Sequence, residues 1–122
     1  MFNKILIAFI ALEHMAFLVL EMFLWQTPIG LKVFKLTPEV AATSASLAAN
    51  QGLYNGFLAA GLVWGLTQKN RDFSFMIKLF FLSCVLIAGL YGWFTVSRTI
   101  LFVQAFPALL ALALLFTDKQ RN

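Results

Sequence analysis

The first long apolar segment of the chain limits the possible folds more than any other stretch. Ile5–Trp25 reads ILIAFIALEHMAFLVLEMFLW, and only Glu13, His14 and Glu21 interrupt its run of apolar side chains. As a helix this segment is about 31 Å long, close to the thickness of a bilayer's hydrocarbon core. Ionisable groups inside such a helix cost about 2.5–3.5 kcal/mol each, so they normally face protein or water. The segment therefore predicts a membrane-spanning helix whose polar groups face other helices.

The ionisable residues of this segment share one side of the predicted helix. At about 100° per residue, Glu21 lies about 80° from Glu13, and His14 lies about 100° from it. Trp25 lies about 20° beyond His14, on the edge of the same arc. We expect other helices to cover this arc, with Trp25 as a supporting residue.

Composition agrees with a membrane protein that crosses the bilayer several times. Charged residues make up 11% of the chain and hydrophobic residues 61%, whereas soluble domains carry about 25% charged residues. The net charge of +4 does not indicate a nucleic-acid partner, because the basic residues are scattered at segment ends. The single cysteine, Cys84, excludes an intramolecular disulfide and a cysteine-rich metal site. We expect neither a metal nor a cofactor.

Four apolar segments predict an all-α membrane protein with four transmembrane helices. Their expected ranges are about 4–25, 38–67, 74–96 and 99–117. Because most of the connections are short, the expected arrangement is a single domain, 1–122, folded as an up-down-up-down bundle.

The longer connection after the first segment has mixed character. Thr37-Pro38-Glu39 indicates a helix start, with Thr37 as the N-cap and Pro38 at the first helical position. Thr27–Gly30 reads TPIG and predicts a turn. The alternating apolar and lysine residues of 31–36 suit a segment at the level of the lipid headgroups.

Basic residues favour an orientation with both termini in the cytoplasm. That orientation places six basic residues inside: Lys4, Lys69, Arg71, Lys78, Lys119 and Arg121. It places three outside: Lys32, Lys35 and Arg98. Since cytoplasmic loops carry an excess of Lys and Arg, this orientation is the expected one.

The second predicted helix carries four polar residues on one arc of about 140°: Asn50, Gln51, Tyr54 and Asn55. It also carries two glycine pairs spaced by four residues, Gly52 with Gly56 and Gly61 with Gly65. Such pairs let helix backbones approach closely. Because the two pairs lie on different faces, this helix is predicted to pack on both sides.

Depth along the helices predicts one polar pocket in the outer half of the bundle, with Glu13 and His14 at its floor. The predicted ligand-binding or proton-coupled residues are His14, Glu21, Glu13, Asn50, Gln51, Tyr54, Asn55 and Gln104, supported by Trp25, Tyr91 and Arg98. Pro107 frees a backbone carbonyl and predicts a kink beside a cavity. Purely structural interpretations are open as well. His14 could be a packing residue, Glu21 could pair with Arg98, and the amides could only hold helices together.

Three short stretches have sequences that are more specific than a membrane-spanning helix requires. They read EMFLW at Glu21–Trp25, NQGLYNGFLAAG at Asn50–Gly61 and QAFPA at Gln104–Ala108, with His14 seven residues before Glu21. In these stretches the chain resembles the small bacterial membrane proteins grouped as domain of unknown function 1304. The resemblance covers nearly the whole chain and implies four transmembrane helices in a bacterial inner membrane. It implies no established activity.

Three functions are compatible with these patterns. The first is binding or transport of a small amphipathic or lipid-like molecule, coupled to protons through His14 beside Glu13. The second is an intramembrane isomerase or hydrolase that uses His14 or Glu21 as an acid or base and Asn50 or Asn55 to stabilise charge. The third is an accessory subunit of a membrane complex. The lipid bilayer is the expected partner, and a homodimer is left open.

Overall fold

A computed structural model describes residues 2–120, and all of its regular elements are helical. In chain order they are α1 (Phe2–Met22), α2 (Pro28–Phe34), α3 (Pro38–Thr67), α4 (Arg71–Thr95), a π-helical segment (Leu101–Ala105) and α5 (Phe106–Gln120). The all-α class expected from the sequence is confirmed.

Three helices within residues 2–120 are long and apolar enough to cross a membrane. They are Phe2–Met22, Arg71–Thr95 and the continuous Leu101–Gln120, with mean hydropathies of 2.1, 2.2 and 1.8. α3 is longer, at 30 residues, but Asn50, Gln51 and Asn55 interrupt its apolar residues. The predicted fourth crossing therefore does not follow from hydropathy alone.

The connection between α1 and α3 contains a helix where the sequence predicts a turn. Thr27 is the N-cap of α2, its hydroxyl accepts a hydrogen bond from the Gly30 amide, and Pro28 occupies the first turn. The same Thr-Pro pair starts α3, where the Thr37 hydroxyl accepts from the Val40 amide at 3.3 Å. Proline is favoured there because the first helical amides have no partner within the helix. The interpretation of Thr27–Gly30 as a turn was wrong, because this pair is a helix-start signal at both sites.

Hydrogen bonds at the start of α3 also reach an exposed carboxylate. Glu39 accepts from its own backbone amide and from the Thr37 hydroxyl, and these bonds lower the pKa of Glu39 below its ordinary value. An acidic side chain in the first turn also suits the positive end of the helix dipole.

Pro107 is the second residue of α5, two residues after the end of the π-helical segment. The amide of Phe106 donates to the carbonyl of Leu101, five residues earlier. A proline at position 107 cannot donate to the carbonyl four residues before it, and the wider turn lets the helix continue past this missing bond. A groove of about 170 Å³ lies beside the segment and is lined by apolar residues, among them Leu90, Phe102 and Phe106.

The described residues divide into two compact units. We call residues 2–11 with 60–120 the α4–α5 unit, and residues 12–59 the α1–α3 unit. The core of the α4–α5 unit includes Ile7, Leu62, Leu82 and Val85, all fully buried. In this unit α4 approaches the π-helical segment so closely that a Cβ at Gly89 would lie 2.8 Å from the backbone nitrogen of Ala105.

Candidate functional site

A carboxylate and an amide meet in the α1–α3 unit. Nδ2 of Asn55 donates a hydrogen bond to Oε2 of Glu21 at 2.8 Å, and both residues are half-buried. The same Nδ2 lies 3.3 Å from the backbone carbonyl of Gln51. Hydrogen bonds to an ionised carboxylate are short and about twice as strong as neutral ones. This hydrogen bond joins two of the sequence-predicted site residues of this unit.

Glycines on α3 make this contact geometrically feasible. A Cβ at Gly52 would lie 2.8 Å from Cγ of Met22 and 3.0 Å from Cβ of Glu21. A Cβ at Gly56 would lie 2.5 Å from Cδ1 of Leu18. The glycine face of α3 therefore packs on α1, and Asn55, one residue before Gly56, reaches Glu21 from the edge of that face.

Three other predicted residues of α3 are exposed: Asn50, Gln51 and Tyr54. Asn50 and Tyr54 are each two residues from Gly52, which places them about 160° around the helix from the face that packs on α1. Tyr54 has 49% of its surface exposed, and its ring lies 6.2 Å from that of Phe57. The structure thus brings Asn55 to Glu21 and leaves its polar neighbours on the outer side of α3.

Glu13 and His14 occupy the middle of α1. His14 is fully buried, and its ring meets Phe17 edge-on with 5.7 Å between the centroids. Glu13 is half-buried. Along the helix Glu13 is about 12 Å from Glu21, more than two turns. These two residues form a region of α1 separate from the Glu21–Asn55 pair.

Trp25 is held by contacts that the sequence analysis did not identify. Its indole nitrogen donates to the hydroxyl of Ser44 at 3.0 Å, and its ring lies 4.6 Å from that of Phe34 on α2. Ser44 sits in the small-residue run ATSAS near the start of α3. A buried indole generally needs a hydrogen-bond acceptor, and this requirement is the signal that would have pointed to a nearby hydroxyl.

The remaining predicted residues belong to the α4–α5 unit. Gln104 lies in the π-helical segment, half-buried, and its Nε2 donates to the carbonyl of Val85 at 3.3 Å. Tyr91 has 72% of its surface exposed. Arg98 is exposed in the turn that follows α4. Across residues 2–120, no three His, Cys, Asp or Glu side chains lie close enough together to hold a metal ion.

Comparison with known sequences places the chain in a family. Residues 8–116 match the family described as protein of unknown function DUF1304. The chain belongs to this family. It is also similar to the uncharacterized protein YpaA of Lactococcus lactis subsp. lactis strain IL1403, with 31% identity over 110 residues, which is 88% of this chain and 91% of that protein. No solved structure matches the chain.

Membership in DUF1304 agrees with the resemblance found in the sequence. The matched range, residues 8–116, includes all eight predicted ligand-binding or proton-coupled residues and all three supporting ones. The family description assigns no activity, so any function has to be argued from the residues of this chain.

Proposed function

We propose that this DUF1304 protein is an integral protein of the bacterial cytoplasmic membrane, with both termini in the cytoplasm. In this arrangement α3 is the fourth crossing of an up-down-up-down bundle. The mean hydropathies of the other three helices support membrane insertion. The 30 residues of α3 extend about 45 Å, so its first turns can project beyond the outer surface of the membrane.

The proposed activity is binding of the polar end of a small amphipathic or lipid-like molecule in the outer half of the α1–α3 unit. The observation that carries this proposal is the 2.8 Å hydrogen bond between Asn55 and Glu21. A carboxylate in an apolar helix is costly, and its two oxygens can accept several hydrogen bonds. A hydrogen-bond donor of the ligand, placed next to Asn55, would give the Glu21 carboxylate a further hydrogen bond besides the one from the Asn55 amide.

The exposed residues Asn50, Gln51 and Tyr54 add polar groups on the outer side of α3. Amide groups facing lipid hydrocarbon lose their hydrogen bonds to water, which is unfavourable unless a partner replaces them. A polar headgroup at the interface would provide such a partner, while its apolar tail remained among the lipids. The geometry thus favours a lipid-like ligand over a wholly polar one.

Glu13 and His14 are proposed to couple ligand binding to the uptake or release of a proton. Because these residues are about two turns of α1 away from Glu21, they would act on binding through the position of the helix and not by touching the headgroup. Transport would require this coupling, whereas binding would not.

The test is an inventory of molecules that co-purify with the protein from mild detergent, read by mass spectrometry. We expect the wild type to retain an amphipathic molecule and Glu21→Gln to retain at least about tenfold less, the effect of losing about 1.4 kcal/mol. Glu39→Gln is the matched control, because Glu39 is an exposed carboxylate at the start of α3. A thermal unfolding measurement first shows that the wild type and Glu21→Gln are both folded. Equal retention of the molecule by the two proteins would then exclude the site.

A protein–protein interface is the second candidate, because the exposed residues of α3 could equally face a second copy or another membrane protein. That role predicts an assembly in mild detergent that Asn50→Leu with Gln51→Leu disrupts, while ligand retention does not depend on Glu21. An intramembrane isomerase or hydrolase instead predicts turnover of a lipidic substrate that is lost in His14→Ala.

A further inference from the structure

A second polar region lies in the α4–α5 unit, around a cavity of about 680 Å³. The first turn of α1, the end of α3, the start of α4 and the end of α5 contribute its walls. Five basic side chains line it: Lys4, Lys69, Arg71, Lys78 and Lys119. The acidic residues among its described lining are Asp72 and Asp118. We call this feature the basic cavity.

The acidic side chains of the basic cavity already have partners or positions within the fold. Oδ2 of Asp118 accepts a hydrogen bond at 3.2 Å from Nδ2 of Asn3, a residue with only 5% of its surface exposed. Asp72 lies in the first turn of α4, where its charge suits the helix dipole and Asn70 caps the helix. The excess of cations is therefore only partly neutralised from within the protein.

Lys78 of α4 is one of the five cations of the basic cavity. Its aliphatic stem packs against Gly65, where a Cβ would lie 2.7 Å from Cγ of Lys78, and the residue is half-buried. Lys4, Lys78 and Asp118 all line this cavity. Two like charges held near each other by packed helices repel, and an anion placed between them removes that repulsion.

Apolar and aromatic groups accompany the charges. Nζ of Lys119 lies 4.1 Å from the centre of the Phe75 ring, and that ring meets Phe116 edge-on at 5.6 Å. Leu66 and Leu115 also line the cavity. The cation–π contact orients Lys119 over an apolar wall. The cavity thus combines fixed positive charge with apolar surface, whereas a site for a free inorganic ion needs only polar ligands.

We propose that the basic cavity binds the phosphate headgroup of an anionic phospholipid such as phosphatidylglycerol. Basic pockets between transmembrane helices on the cytoplasmic side hold anionic headgroups in this way. In the proposed orientation, all five cations lie at the cytoplasmic side, where anionic lipids are present. The site depends on membrane insertion but not on ligand binding at Glu21, which lies in the other unit.

The experiment measures lipid binding by the purified full chain in detergent, using native mass spectrometry with phosphatidylglycerol or phosphatidylcholine. We expect phosphatidylglycerol to bind at least about tenfold more tightly than phosphatidylcholine. Each cation near an anionic headgroup contributes about 1 kcal/mol, a factor of about five in affinity. Lys78→Gln should therefore weaken phosphatidylglycerol binding about fivefold, and Lys4→Gln with Lys78→Gln about 25-fold.

Matched controls separate this site from general attraction of a basic protein to anions. Lys32→Gln with Lys35→Gln removes two charges on and beside α2 and should leave phosphatidylglycerol binding unchanged. Lys78→Arg keeps the charge and should bind phosphatidylglycerol as the wild type does. An unfolding measurement without added lipid shows whether each variant is folded. Inorganic phosphate at the same concentration should not displace the lipid.

Several results would overturn the proposal. One is equal affinity for the two lipids, and another is wild-type affinity in the double variant of Lys4 and Lys78. Displacement by inorganic phosphate at equal concentration would assign the cavity to a free anion instead. Retention of the co-purified molecule by Glu21→Gln is a separate readout, so failure of either site is recognised independently.

Discussion

The two halves of α3 use the same packing device with different neighbours. In the first half, Gly52 and Gly56 bring α3 close to α1, where they meet Met22, Glu21 and Leu18. In the second half, Gly61 and Gly65 bring the helix close to α4, where they meet Phe81, Ile77 and Lys78. The prediction that α3 packs closely at both glycine pairs agrees with these contacts, which are with α1 at the first pair and with α4 at the second.

The difference between the halves lies in what surrounds the glycines. In the first half, the Glu21–Asn55 pair lies beside the glycines, and the flexible side chains of Met22 and Leu18 pack against them. The second half faces the Phe81 ring and is joined to α4 by Ser74, whose buried hydroxyl donates to the carbonyl of Gly65 at 2.7 Å. Close backbone approach alone therefore does not define a site, since the side chains next to the glycines decide what each half can bind.

The largest expected effect is that of Gly61→Ala. The added methyl group would overlap the ring of Phe81, which is half-buried, and an aromatic ring moves as one rigid group whereas an aliphatic chain can adjust bond by bond. Overpacking of this kind costs about 1–3 kcal/mol, and we expect about 3 here. The measurement is unfolding in detergent by SDS titration.

Gly56→Ala is the matched comparison for the first half. Its new methyl group would meet the end of the flexible Leu18 side chain, so we expect less than about 1 kcal/mol of destabilisation. Similar losses for the two alanine variants would show that the halves do not differ in rigidity. Phe81→Ala in the Gly61→Ala background should recover part of the lost stability if the ring is responsible.

A smaller loss is expected for Asn55→Ala, because the variant removes the amide that donates to Glu21 and leaves a half-buried carboxylate without that donor. Hydrogen bonds to charged groups contribute about 1.5–3 kcal/mol, and we expect a loss of about 2. Gln51→Ala, an exposed position on the same helix, should change stability by less than about 0.5 kcal/mol. The same unfolding titration measures both variants. Equal losses of stability would show that the Glu21–Asn55 hydrogen bond does not stabilise the protein.

Ser74→Ala tests the link between the second half of α3 and α4. Losing the bond to the Gly65 carbonyl should destabilise the protein by about 1 kcal/mol, because a buried acceptor loses its donor. Ser83→Ala is the control, since the Ser83 hydroxyl bonds only within α4, to Leu79 at 2.7 Å. A loss in Ser83→Ala as large as in Ser74→Ala would contradict a role for the contact between helices.

The smallest effect is predicted for Trp25→Phe, which keeps the aromatic contact with Phe34 but loses the hydrogen bond to Ser44. We expect about 0.5 kcal/mol, the low end for a neutral hydrogen bond. Ser44→Ala also removes the 2.6 Å hydrogen bond from the Ser44 hydroxyl to the Val40 carbonyl, so the comparison uses the double variant, which should cost less than the sum of the two single variants. Additive losses would show that the indole–hydroxyl bond contributes nothing to stability.

The helices and their starts follow closely from the sequence, because hydropathy and capping are local properties. Thr37-Pro38 predicted the start of α3 at Pro38, and Thr27-Pro28 carries the same signal for α2. Pro107 predicted a kink beside a cavity, and the structure has a π-helical segment that ends two residues before it. Each of these features depends on backbone groups within one turn of the residue concerned.

The sequence did not predict which helices pack against one another. On α3 the polar residues Asn50–Asn55 and the glycines Gly52 and Gly56 lie on different arcs, and either arc could have faced α1. The structure places the glycine arc there, so only Asn55 meets Glu21. The common pocket that also includes Gln104 stays a prediction.

By itself the sequence determined the all-helical class, the apolar character of the long helices, and the two glycine pairs that give α3 two close-packing faces. Tertiary structure alone decided that Asn55 pairs with Glu21, that Ser44 meets Trp25, and that basic residues from α1, α4, α5 and the turn before α4 surround one cavity. The reason is physical: helical periodicity fixes the angle of each side chain around its own axis. Contacts between residues far apart in sequence depend on how separate helices pack.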